Sequence, residues 1–160
     1  MWSVQHFEKM SDEHSELLRN YTDAYAAVGA PEYLAAARGI VRWVRDVLAD
    51  PDGGYGTSQD ADVGLDDDGD YFTWTLDEAR AVLTPAEAAA AALYYDINQS
   101  GVMHHNPAKN VLHLRAGVDQ IATRLQLEPQ QVASLLDSAK QKMYAARLQR
   151  PTPYVDKTVY

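Results

Sequence analysis

AYAAVGAPEYLAAAR, residues 24–38, decides the fold. Gly29 is a helix stop and Pro31 a helix start, separated by one residue. Glycine takes the left-handed backbone that ends a helix. Proline loses nothing at the first helical position, where an N–H would have no helical partner. Upstream, Phe7, Met10, Leu17, Leu18, Tyr21, Tyr25 and Val28 recur at helical spacing, which predicts a helix over residues 6–29 with one apolar stripe. Downstream, Tyr33, Ala37, Ile40, Val44, Val47 and Leu48 predict a second helix over residues 31–49, stopped by the turn Asp50-Pro51-Asp52-Gly53-Gly54. Two amphipathic helices on so short a link make an antiparallel hairpin.

The same grammar recurs further along. Thr75-Leu76-Asp77-Glu78 and Thr84-Pro85-Ala86-Glu87 are capping boxes, opening helices over residues 76–83 and 85–96. Residues 97–116 read as irregular, with a short strand at 110–114. Helices over 117–126 and 129–149 follow, the last with Val132, Leu135, Leu136, Ala139, Met143 and Ala146 on one side. Between the hairpins lies a loop over residues 50–75. Its aromatic end, Tyr71-Phe72-Thr73-Trp74, has strand composition and is expected to pair with residues 55–58 as a small ribbon. The tail, residues 150–160, closes on apolar and aromatic residues and reads as a chain running on into a further element. The expected class is all-α, built of consecutive αα-hairpins with a β-ribbon insertion.

Composition narrows the function. The chain of 160 residues is 46% hydrophobic and carries a net charge of −9, so it is an acidic globular chain that repels phosphate backbones. Nucleic acid is therefore not an expected partner. There are no cysteines, which excludes disulfides, thiol nucleophiles and CxxC sites within the chain. The opening MWSVQHFEKM lacks the basic-then-apolar pattern of a secretory leader, and no apolar run approaches membrane-spanning length. No membrane contact and a cytoplasmic location are the expectations.

Chemistry-bearing residues fall in two places. At 100° per residue His14 sits within the first helix's apolar stripe, with His6 and Glu13 near its edge. A histidine and a carboxylate there suit an acid–base pair. The plainer reading, a core histidine beside a surface glutamate, is favoured by pattern alone. The second place is GGYGTSQDADVGLDDDGDYFTWT, residues 53–75. Sugars need carboxylate and amide acceptors and a ring to stack on, so Gln59, Asp60 and Asp62 beside Tyr71 and Trp74 suit a sugar edge. Asp66, Asp67 and Asp68 read as a solvated turn. Neither EF-hand register, from Asp60 or from Asp62, places glycine sixth and glutamate twelfth, and His104, His105 and His113 match no zinc spacing. A looser calcium- or magnesium-binding loop stands as a distant third reading, and no metal and no cofactor are expected.

Several stretches in order, HFEKM (6–10), AYAAVGAPEYLAAAR, GGYGTSQDAD with YFTWT, KNVLHL (109–114) and AKQKMYAARLQRPTPYVDK (139–157), resemble the spermatogenesis-associated protein 20 family of thioredoxin-domain-containing proteins. The resemblance covers nearly the whole chain. It implies a fragment of an α/α toroid of the six-hairpin glycosidase and N-acylglucosamine 2-epimerase kind, without the thioredoxin-like domain. In that reading residues 1–160 are one partial toroid domain: hairpin 6–49, loop and ribbon 50–75, hairpin 76–96, loop 97–116, helices 117–149 and tail. It implies catalytic roles for His6, Asp60 and Asp62, and substrate contacts from Glu13, His14, Gln59, Tyr71 and Trp74. The implied partners are a carbohydrate ligand and either the remaining toroid hairpins or a second copy of the chain. The sequence also departs from the family. Gln5 stands for a proline, Ser11-Asp12-Glu13-His14 for Leu-Tyr-Asp-Asn, and Gly101-Val102-Met103-His104 for Gly-Asn-Phe-Glu. The loop after Asp62 is longer and more acidic. These changes leave a second reading open, a divergent, non-catalytic structural or interaction module.

Overall fold

The computed structural model describes residues 6–65, 67 and 69–159, the backbone alone at 159. The described residues are mainly helical, with six α-helices and a small three-stranded antiparallel sheet. They divide into two compact units. One comprises residues 7–62 with 153–159; the other comprises residues 63–65, 67 and 69–152 and, at the N-terminal end, His6.

The first unit holds the hairpin read from residues 24–38. Helix α1 spans Ser11–Val28 and ends on Gly29, whose φ of 70° lets its N–H reach the Tyr25 carbonyl at 2.8 Å. Helix α2 spans Pro31–Trp43, with Pro31 opening it, and runs on into a π-helical turn, Val44–Leu48. The helix starts later than the apolar spacing predicts. Lys9–Met10 is strand β1, and Phe7 lies buried ahead of the helix. Strand β2, Gly56–Gln59, pairs with β1 on one side and with β3, Val155–Val159, on the other.

The ribbon is therefore built differently from the expectation. Residues 71–74 do not pair with 55–58. Gly69, with φ at 76°, turns the chain so that the Phe72 and Thr73 N–H groups both return to its carbonyl, and the aromatic run forms a turn instead of a strand. The central strand takes its second neighbour from the tail, which the sequence reading left without structure. Gly56 permits that pairing, because a Cβ there would lie 2.6 Å from the Asp156 carbonyl oxygen.

The second unit packs α3 (Leu76–Val82), α4 (Pro85–Tyr95), α5 (Val118–Leu125) and α6 (Pro129–Arg147). Both capping boxes form: the Thr75 and Thr84 hydroxyls accept from the Glu78 and Glu87 N–H groups, and the glutamates reach back to the threonine N–H groups. Alanines 88, 90 and 91 give α4 a small-residue face. Against it and its neighbours lie Val132, Leu136, Ala139 and Met143 of α6, the buried part of the predicted stripe. Glu87, buried on α4, accepts from Ser138 at 2.6 Å and Lys142 at 2.7 Å, tying α4 to α6. The strand expected at 110–114 reduces to one bridge, Trp74 with Asn110. Among the described residues no helix is long and apolar enough to cross a membrane.

Candidate functional site

In the sheet-bearing unit, two residues singled out from sequence meet on one that was not. The His14 ring lies against Trp43, centroids 4.5 Å apart and planes inclined at 38°. The Trp43 indole Nε1–H donates to Gln59 Oε1 at 3.1 Å, and Gln59 is buried on β2. His14 Nδ1 meets the Met10 carbonyl at 2.8 Å. A carbonyl only accepts, so Nδ1 carries the proton, and in the neutral ring Nε2 is the acceptor. The fold produces this cluster directly: α1 carries His14 one turn past β1, α2 ends on Trp43, and β2 delivers Gln59. The helix that Trp43 closes passes at once into the π-turn, a local irregularity frequent at functional sites.

Asp60 and Asp62 follow Gln59 on the same unit but differ in role. Asp60 Oδ1 accepts the Ala61 N–H at 2.7 Å and lies 3.4 Å from the Asp62 N–H, while its own N–H donates to the Tyr154 carbonyl. Its carboxylate thus shapes the loop leaving the sheet. Asp62 is half-buried, and Glu13 lies exposed on α1. His6 is exposed and groups with the helical unit, so the expected catalytic trio is divided between the units.

Tyr71 and Trp74, expected as stacking rings, are core residues of the helical unit. Trp74 is 3% exposed, and the Arg150 guanidinium lies 4.2 Å over its ring, so it offers a sugar no face. Tyr71 meets Phe72 edge-on at 5.0 Å with the Arg147 guanidinium 5.5 Å above it.

Beside these rings the helical unit forms a cleft of about 510 Å³, lined among others by Asp67, Asp70, Tyr71, Glu78, Lys109 and Arg150. Lys109, nearly fully buried, donates to Glu78 Oε1 at 2.9 Å and lies 4.0 Å from Asp70. His105 Nε2 meets Asp70 Oδ1 at 3.0 Å. Arg150 donates to the carbonyls of Asp70, Tyr71 and Thr73 and stands 3.5 Å from Glu78. Burial alone would raise the Glu78 carboxyl. The Thr75 N–H, the Lys109 hydrogen bond and the charges of Lys109 and Arg150 together outweigh it, so the group titrates below its ordinary value. Burial likewise lowers Arg150, with Glu78 opposing.

Sequence reading missed Trp43, Glu78, Lys109 and Arg150 as site residues. Glu78 was visible as a cap, and Lys109 and Arg150 stand inside the family-like stretches KNVLHL and QRPTP. Trp43 carried no signal, because it lies off the apolar stripe of its helix. Of the three loop histidines, His105 joins Asp70, whereas His113 faces Asp96 at 3.5 Å.

No protein-family model matches the chain. It is similar to spermatogenesis-associated protein 20 of Homo sapiens, 29% identical over 97% of this chain and 22% of that protein. The Mus musculus protein of the same name is 28% identical over the same shares. An uncharacterized protein of Caenorhabditis elegans is 25% identical over 97% of this chain and 24% of its own length. These similarities support a relationship to the spermatogenesis-associated protein 20 family. The chain spans about a fifth of the length of the curated relatives it matches, 22% for the human protein.

Proposed function

We propose that this chain is a segment of a carbohydrate-processing-like α/α toroid, and that its sheet-bearing unit contributes a sugar-binding surface. The observation that carries this reading is the convergence of His14 and Gln59 on Trp43. An indole, an imidazole and a carboxylate on the loop leaving β2 are the groups a polyhydroxylated ring calls for. Trp43 is the platform, His14 the acid–base group and Asp62 the carboxylate, while Asp60 holds the loop. The test is a titration of the chain with hexoses, N-acetylhexosamines and short oligosaccharides, followed by tryptophan fluorescence and by NMR of the histidine rings. A saturable response that disappears in Trp43→Phe and His14→Ala supports the reading. No response to any of them up to about 10 mM overturns it.

A second reading, a non-catalytic interaction module, is favoured by α1. This helix of 18 residues has none buried, and Leu17, Tyr25 and Val28, with Val41 of α2, stay exposed. Further hairpins or a second copy of the chain would cover such a face. Light scattering that gives a monomer of 17.8 kDa at all concentrations removes self-association.

A further inference from the structure

The loop between Asp60 and Asp70 carries six aspartates and no lysine or arginine. One of them, Asp70, hydrogen-bonds a histidine from a distant segment, and a second, Asp67, lies close by. One ligand atom each from Asp67, Asp70 and His105 lies within 4.8 Å of the others. We propose that these three residues form a divalent-cation site, with Zn²⁺ the preferred ion.

The donor set selects the ion. Two carboxylates with one imidazole form a borderline set, which suits Zn²⁺ better than Ca²⁺ or Mg²⁺, whose sites are built from oxygen. Zinc bonds to such donors are about 2.0–2.2 Å long, so bound ligand atoms stand about 3–4 Å apart. The three side chains need only a small closure to reach that spacing, and none is locked in the core. Asp67 is already aimed: its Oδ1 accepts the Asp70 N–H and its Oδ2 the Val63 N–H, both at 2.8 Å, which leaves lone pairs on each oxygen. His105 Nε2 already sits 3.0 Å from Asp70 Oδ1, and an ion would replace the proton they share.

Two cations border the set. Lys109 stands 4.0 Å from Asp70 but donates to Glu78 at 2.9 Å, and Arg150 is held by three carbonyls and Glu78. Their charge is shared with Glu78, and the aspartates of the loop remain in excess. Three protein donors leave the rest of the coordination sphere to water, an open site.

The test uses the full chain after chelator treatment, with Zn²⁺, Mn²⁺ and Ca²⁺ as separate probes. Zn²⁺ is expected to raise the thermal midpoint saturably, by roughly 5 °C or more at a hundredfold excess over Kd. Ca²⁺ gives a clearly smaller shift. Asp70→Asn and His105→Gln each abolish the zinc shift, whatever they do to the metal-free midpoint, whereas His104→Gln and His113→Gln retain it. Mn²⁺ is expected to broaden the His105 imidazole resonances selectively. A wild-type chain that gives no zinc shift overturns the proposal, as does a zinc shift that survives His105→Gln or a calcium shift equal to that of zinc.

Discussion

Asn110 should be the most sensitive polar residue of the helical unit. Its Nδ2 donates toward three carbonyls, those of Trp74, Asn98 and Ala108, each at 3.0 Å, and its Oδ1 accepts the Asn98 N–H at 3.0 Å. An amide has two N–H bonds, so one of the three contacts is shared. The residue is 3% exposed, and water cannot take its place without opening the loop. Asn110→Ala leaves the Asn98 N–H and at least one carbonyl unpartnered, although the Trp74 carbonyl keeps the Asn110 backbone N–H at 2.8 Å. At about 1–3 kcal/mol for each buried group left unsatisfied, the expected loss is about 3 kcal/mol. At about 3 °C per kcal/mol for a chain of this size, the thermal midpoint falls by about 9 °C. Asn110→Asp is the sharper probe, because it keeps the shape and inverts the chemistry. A carboxylate oxygen then faces three carbonyl oxygens, so Asp should be worse than Ala at neutral pH. Urea and thermal unfolding, followed by circular dichroism, measure both. A loss below about 1 kcal/mol for Ala, or an Asp variant as stable as Ala, refutes the idea that this amide organises the loop.

Gly101→Ala should be as damaging for a different reason. Its Cβ would run into the Lys109 carbonyl, a backbone group that cannot swing aside. Relieving it breaks the Gly101 N–H to Pro107 and Val102 N–H to Lys109 bonds, a loss of about 2 kcal/mol or more that a urea midpoint reads directly. Glu87 predicts an acid limb. Lys142, Ser138 and the Thr84 N–H hold its carboxyl down from 4.5 to about 2, so its contribution is complete above pH 4.5 and is lost as pH falls toward 2. Glu87→Gln should flatten the stability profile across that window, and an unchanged slope would show that the Glu87–Lys142 pair does not link α4 to α6.

What was legible in the sequence was what depends on neighbours in the chain. The Gly29 stop, the Pro31 start and the two threonine caps each rest on residues within a few positions, and all four stand in the structure. The sheet was not legible, because β2 draws its partners from opposite ends of the chain and no local pattern encodes that pairing. The aromatic run at 71–74 misled for a related reason. Burial and strand propensity favour the same residue types, and here Tyr71 and Trp74 are buried by a turn and by two arginines. The candidate site divides the same way. His14 and Gln59 stood out by residue type, but Trp43, which joins them, needed the third dimension. The α1 stripe makes the limit plain. Its period correctly gave a helix, since period reports geometry, yet the same pattern was silent on how completely that face would be covered. Tyr21 reaches Tyr33 across the hairpin with centroids 6.3 Å apart, while Val28 on the same helix stays 67% exposed. An apolar stripe states that a surface is costly to leave in water, and only the packing states what covers it.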